Sequence, residues 1–141
     1  MHGHTPAHSL SKLRPRDNDT TQVPSISFTP DYVLHATAEI VNLSCVPRMS
    51  VVFNGMVPGP LLKFTEGQTK WVRVYNRIKA NQDIHHEGLM VHWHGLDIKP
   101  QMDGTPVTQM PIMPGYFFDY EITPPPGSAG TYLYHEHAGG T

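Results

Sequence analysis

One cysteine, Cys45, stands in the whole chain, so no internal disulfide can staple it and the cysteine count carries no mark of a secreted, disulfide-built framework. Charge is sparse as well: 16 % of residues are charged and the formal net charge is -2. That balance offers no basic surface for nucleic acid and no acidic tail for cationic partners. No apolar run is long enough to span a bilayer, and the opening Met1-His2-Gly3-His4 has no signal-like apolar segment. If the protein is secreted, its signal has been removed or was never included. Long helical periods are missing too. Fourteen prolines and twelve glycines cut the 141 residues into short runs, which points to an all-β domain with a single core.

Residues 1 to 30 mix His, Pro, Ser, Thr and charges without periodicity and read as a flexible arm, with the domain running from 31 to 141. Strand-like stretches then recur: Tyr32 to Val41, Met49 to Phe53, Gln68 to Asn76, Leu89 to Leu96, Tyr116 to Ile122 and Thr131 to His137. Between them lie turn signals such as Asn54-Gly55, Pro58-Gly59-Pro60, Glu66-Gly67 and Pro124-Pro125-Pro126-Gly127. Short strands spaced in this way predict a Greek-key β-sandwich or barrel. There is no internal repeat. Asn18-Asp19-Thr20 and Asn42-Leu43-Ser44 are glycosylation sequons, a weak sign of secretion.

The chemistry is concentrated in two histidine pairs. His92 and His94 flank Trp93 in an apolar strand, and alternation puts both imidazoles on one face with Val91 and Trp93 on the other. The same geometry recurs at His135 and His137, where Tyr134 and Glu136 take the opposite face. One such pair is often only two surface or hydrogen-bonded histidines. Two pairs on predicted strands point to metal. A three-histidine zinc site with an open water position, serving a hydratase or hydrolase, uses the same pattern. Copper fits at least as well, because no thiolate accompanies the histidines, the Glu136 carboxylate faces away, and divalent copper binds nitrogen sites more tightly than zinc. Spacing leaves both open.

The run His92-Trp93-His94-Gly95, then Met102-Asp103-Gly104-Thr105-Pro106, Gln109-Met110-Pro111-Ile112 and Gly130-Thr131-Tyr132-Leu133-Tyr134-His135-Glu136-His137, resembles the two copper-binding stretches of the first domain of multicopper oxidases. Order and separation match as well. Upstream, Asn54-Gly55-Met56-Val57-Pro58-Gly59-Pro60 with Glu66-Gly67-Gln68 resembles the segment preceding the first stretch in laccases and ascorbate oxidases. Phe117-Phe118-Asp119-Tyr120-Glu121-Ile122 looks most like the ascomycete fungal branch. The likeness covers about residues 31 to 141.

It implies a cupredoxin-like domain in a secreted, laccase-like enzyme that reduces dioxygen to water with electrons from phenol-like donors. His92 would ligate the type 2 copper, His94 and His135 one type 3 copper, and His137 the other. Asp103 matches an acidic residue near the type 2 copper, which implies a role in orienting water or relaying protons; a plain Asp-Gly turn is the other reading. The family's type 1 copper needs a cysteine flanked by histidines in a later domain, and Cys45 has no such setting, so it reads as buried or paired with a distant cysteine. The remaining cupredoxin domains, as partners, would supply the other cluster ligands. By that likeness the chain reads as a fragment or truncated product with little turnover of its own, or else as a copper-binding remnant without redox chemistry.

Smaller expectations concern single residues. Met110 stands where many laccases carry a tethering cysteine, and Glu136 where Ser or Cys is common. Trp93 and Tyr134 should form the core side of their strands. His2, His4 and His8 belong to the arm, His85 and His86 to a loop, and His35 to an ordinary strand face.

Overall fold

The computed structural model describes residues 28–42, 45–79, 81, 82, 84 and 88–138. Six strands form, at Tyr32–Val41 (β1), Arg48–Phe53 (β2), Lys70–Asn76 (β3), Leu89–His94 (β4), Phe117–Ile122 (β5) and Leu133–Ala138 (β6), with a 3-10 turn at Pro100–Met102. Each falls on a stretch that alternation predicts. The ends differ where a turn intervenes: β4 stops at His94 because Gly95 adopts φ 83°, and β3 starts at Lys70 because Gln68 N–H closes a turn on the Thr65 carbonyl at 3.1 Å.

Four strands make one sheet in the order β2-β1-β3-β5, and β4 pairs with β6 in a second. The pairing of β1 with β3 is parallel and the other pairings are antiparallel. From β3 onward successive strands alternate between the sheets, so the histidine strands β4 and β6 share one sheet while β5 lies in the other. The core lies between the sheets. Leu34, Ala36, Val72, Val74, Tyr120 and Ile122 meet Leu89, Val91 and Trp93 there, all nearly or wholly buried. Trp93 packs edge-on against Tyr120 at 5.4 Å and tilted against Tyr134 at 5.7 Å, so its indole sits on the core side of the histidine strand as alternation requires. Truncating so large a buried ring costs about 3–5 kcal/mol.

Local chemistry holds the connections. Asn54 and Gly55 are both left-handed, as a type I′ turn demands, and Met56 N–H closes on the Phe53 carbonyl at 3.1 Å. The Asn54 Oδ1 accepts the His35 N–H at 2.6 Å, tying this turn to β1. Buried Asn76 donates from Nδ2 to the Ile112 carbonyl at 2.7 Å, and that same carbonyl accepts the Leu89 N–H at 3.1 Å. The end of β3 is thereby joined to the start of β4. On the outer face of the large sheet, Arg73 makes a bidentate pair with Asp119 at 2.7 and 2.8 Å and lies over the Phe117 ring.

Of the two expectations for Cys45, burial is overturned. Cys45 is exposed, at a left-handed position with φ 56° in the β1–β2 connection, so it is not a core residue. A turn on the surface has no apolar wall to bury it. His35 is exposed on its strand and stacks on Tyr75 at 5.1 Å, as an ordinary strand-face residue does. The amino-terminal arm with His2, His4 and His8, the loop residues His85 and His86, and the Asn18 sequon lie outside the described residues. Among the described residues, no helix is long and apolar enough to cross a membrane.

Candidate metal centre

The β4–β6 register puts His92 directly opposite His135, with His94 opposite Leu133 and His137 opposite Met90. All four histidines therefore lie on one face of a two-stranded ribbon, two on each strand, with Trp93 and Tyr134 paired on the reverse. Ring centroids lie 5.4 Å apart for His92 and His135, 5.7 Å for His94 and His135, 5.6 Å for His92 and His94, and 6.3 Å for His92 and His137. One nitrogen from each of His92, His94 and His135 falls within 4.8 Å of the others. His137 joins the same face but not that tight trio.

Hydrogen bonds decide which nitrogen each ring presents. A carbonyl can only accept, so His92, whose Nδ1 lies 2.7 Å from the Asp103 carbonyl, carries its proton there and keeps Nε2 as a lone pair. His135 likewise donates Nδ1–H to the Glu136 carbonyl at 2.9 Å and keeps Nε2. That Nε2 stands 3.5 Å from Nδ1 of His94, so His94 faces its neighbour through the opposite ring nitrogen. Metal–nitrogen bonds of about 2.0 Å put two imidazole nitrogens on one ion roughly 3–4 Å apart, and this pair meets that spacing. Three or four neutral imidazoles with no thiolate form a donor set that suits copper or zinc.

Asp103 sits in the expected turn and also touches His92. It closes the 3-10 turn, its N–H donating to the Pro100 carbonyl at 3.1 Å, while its main-chain oxygen holds His92 and its carboxylate Oδ1 lies 3.3 Å from the same Nδ1. Gly104 follows at φ +66° and packs flat on β4: a Cβ there would sit 1.8 Å from the Val91 carbonyl oxygen. Behind the ribbon, the wholly buried Tyr120 accepts the Val91 N–H at 2.9 Å. Burial pushes the Tyr120 phenol well above its ordinary range against the opposing hydrogen bond of the Val91 N–H, and pushes Tyr134 up to about 12. Gly104 and Tyr120 are contributions that the reading of the sequence missed. The Asp-Gly pair is a visible signal for the first; nothing in a strand that alternates Phe118, Tyr120 and Ile122 marks the second.

Known proteins resemble this chain in both sequence and fold. A family model described as multicopper oxidase matches residues 35–141. The multicopper oxidase aurL2 of Gibberella zeae is 52% identical over 116 residues, 80% of this chain and 18% of that protein. Laccase-like multicopper oxidase 1 of Thermothelomyces thermophilus is 45% identical over 122 residues, 84% of this chain and 18% of that protein. The crystal structure of a multi-copper oxidase from Pseudomonas thermotolerans superposes with a TM-score of 0.60 at 30% identity, covering 75% of this chain and 24% of that one. The chain thus spans less than a fifth of either fungal relative. The all-β, cupredoxin-like architecture expected from the sequence is the one these matches share.

Proposed function

Because this chain belongs to the multicopper oxidase family, we propose that it supplies His92, His94, His135 and His137 to a copper cluster that reduces dioxygen to water. The observation that carries this reading is the approach of His94 Nδ1 and His135 Nε2 to 3.5 Å, with a His92 nitrogen in the same trio. In the finer assignment, His94 and His135 share one type 3 copper, His137 holds its partner and His92 holds the type 2 copper. The 3.5 Å approach of His94 and His135 supports their sharing one ion, and the roles of His92 and His137 follow from the family likeness. Copper, when bound, supplies the change of oxidation state that zinc lacks.

The residues do the rest. The Asp103 carbonyl and the Glu136 carbonyl hold the His92 and His135 protons at Nδ1, which keeps their Nε2 lone pairs on the metal-facing side. The Asp103 carboxylate, about one-third exposed and 3.3 Å from His92, is placed to take up or release a proton at the rim of the site. This chain has no cysteine flanked by histidines. Oxidation of the phenol-like donor, and the remaining cluster ligands, would therefore fall to further cupredoxin domains. Secretion belongs to the same reading, and the exposed Asn42 of the second sequon would be its glycosylation site.

Copper titration of the 141-residue chain, followed by electron paramagnetic resonance, tests the site. Binding that is lost in His94→Ala and in His135→Ala is expected. A preference for zinc with metal-dependent ester cleavage would overturn the copper reading. Strong phenol oxidation by the copper-loaded chain alone would overturn the assignment of donor oxidation elsewhere.

A further inference from the structure

The backbone of Val91, behind the histidine face, and the His92 ring that follows it are held at three points. The Val91 N–H donates to the Tyr120 hydroxyl at 2.9 Å. The Val91 carbonyl lies against Gly104, where no Cβ would fit. The His92 ring, one residue on, donates to the Asp103 carbonyl at 2.7 Å. The turn carrying Asp103 and Gly104 is in turn anchored on β5: Glu121 N–H donates to Met102 Sδ at 3.4 Å, and Lys99 Nζ pairs with Glu121 Oε2 at 2.9 Å. Two adjacent residues of β5, Tyr120 and Glu121, therefore hold the two segments that the His92 hydrogen bond spans.

We propose that Tyr120 is a positioning residue for His92: its hydroxyl, together with the Met102–Glu121 anchor, keeps β4 and the Asp103-Gly104 turn in one register. His92 then stays in its Nδ1–H tautomer and offers Nε2 to a metal ion. The chemistry makes this matter. The two neutral tautomers of imidazole lie close in free energy in water, so the one hydrogen bond to Asp103 decides which nitrogen is left to bind. That bond joins two separate segments, and any sliding of β4 against the turn lengthens it. An apolar ring at position 120 would fill the same wall but leave the buried Val91 N–H without its acceptor and β4 without its tie to β5. The inference rests on the reading of His92 as a ligand, yet the tautomer itself can be measured without metal.

The test uses the metal-free 141-residue chain and long-range proton–nitrogen correlation spectra of its histidines at about pH 8, where imidazoles are neutral. Tyr120→Phe removes the hydroxyl; Ile122→Val, at a wholly buried site in the same strand, removes a methylene and no polar atom. The wild type and Ile122→Val should show His92 as a single Nδ1–H tautomer, and Tyr120→Phe a mixture. Competition titration with Cu2+ should then give a loss of about tenfold or more in affinity for Tyr120→Phe alone. A single tautomer and unchanged affinity in Tyr120→Phe would overturn the proposal, as would an equal shift in Ile122→Val. Should Tyr120→Phe fail to fold, Met102→Leu keeps the volume and removes only the sulfur that accepts from Glu121. A mixed tautomer there supports the anchor, and an unchanged one overturns it. Failure of the wild type to bind Cu2+ would count against the proposed function, while the tautomer comparison still decides this inference.

Discussion

Replacing Gly104 with alanine measures how tightly the Asp103 turn is pressed onto the histidine strand. Two costs separate cleanly. An L-residue in the left-handed region loses roughly 1–2 kcal/mol, of which about 0.4–1 kcal/mol is returned by stiffening the unfolded chain. Gly67→Ala carries this backbone cost alone, since Gly67 has φ +70° and nothing within 4 Å of its would-be Cβ. At Gly104, with φ +66°, the new carbon would also stand 1.8 Å from the Val91 oxygen and 2.4 Å from the Val91 carbonyl carbon. Backbone on both sides must part by roughly 1.5 Å to reach ordinary contact. Overpacking of that kind costs about 1–3 kcal/mol, and losing the His92–Asp103 hydrogen bond about 1 kcal/mol more. Gly67→Ala should therefore lose about 1 kcal/mol and Gly104→Ala about 3–5 kcal/mol in urea unfolding followed by tryptophan fluorescence. The second should also bind Cu2+ more weakly. Equal losses within about 0.5 kcal/mol would refute the close approach and the argument built on it.

Other substitutions probe separate parts of the structure. His94→Ala, at an exposed position, should change stability by less than about 0.5 kcal/mol while lowering Cu2+ affinity at least tenfold by calorimetric titration; a large stability loss would mean the ring is structural. Arg73→Ala strips the guanidinium from the buried Asp119 carboxylate, whose side chain is 8% exposed, and should cost about 3–5 kcal/mol in denaturant unfolding. The double variant Arg73→Met with Asp119→Leu should recover much of that loss. The backbone N–H of Trp71 holds the Asp31 carboxyl below its ordinary 3.8, opposed by partial burial and aided by Lys70. A depressed carboxyl stabilises the fold above its unfolded value and loses that effect as pH falls through the folded one. The stability gap between wild type and Asp31→Asn should be constant near neutrality and close below about pH 4, as followed by denaturant unfolding across pH.

Much of the candidate site is legible in the order of the residues. His92 and His94, and again His135 and His137, stand two residues apart in stretches with strand alternation, so a shared face follows from the pleat alone. Trp93 and Tyr134 are assigned to the reverse face on the same ground, and both pack there. The expectation that Cys45 is buried fails for a related reason. A lone cysteine surrounded by Leu43, Val46 and Pro47 has no periodicity to say which way it points, and its place in a connection puts it on the surface. Asp103 has two readings by sequence because an Asp-Gly turn and an acidic residue that orients water or relays protons are written identically; the structure shows the turn, and its contact to the His92 ring runs through a main-chain oxygen, an atom every residue has.

What the sequence determined by itself is local: the period of two that pairs the histidines, the prolines and glycines that divide the strands, and the compound motif that carries the family likeness. Tertiary structure decided everything that depends on residues far apart in the chain. The pairing of β4 with β6, which sets His92 against His135, joins segments about forty residues apart through backbone hydrogen bonds that carry no side-chain signature. The choice between Nδ1 and Nε2 rests on where the Asp103 and Glu136 carbonyls come to lie, and the place of Tyr120 on how one sheet packs over the other. A sequence specifies these through the summed burial of a whole core. The four histidines are thus visible as candidate ligands, while the shared face on which they meet depends on two sheets closing over Trp93, Tyr120 and Tyr134.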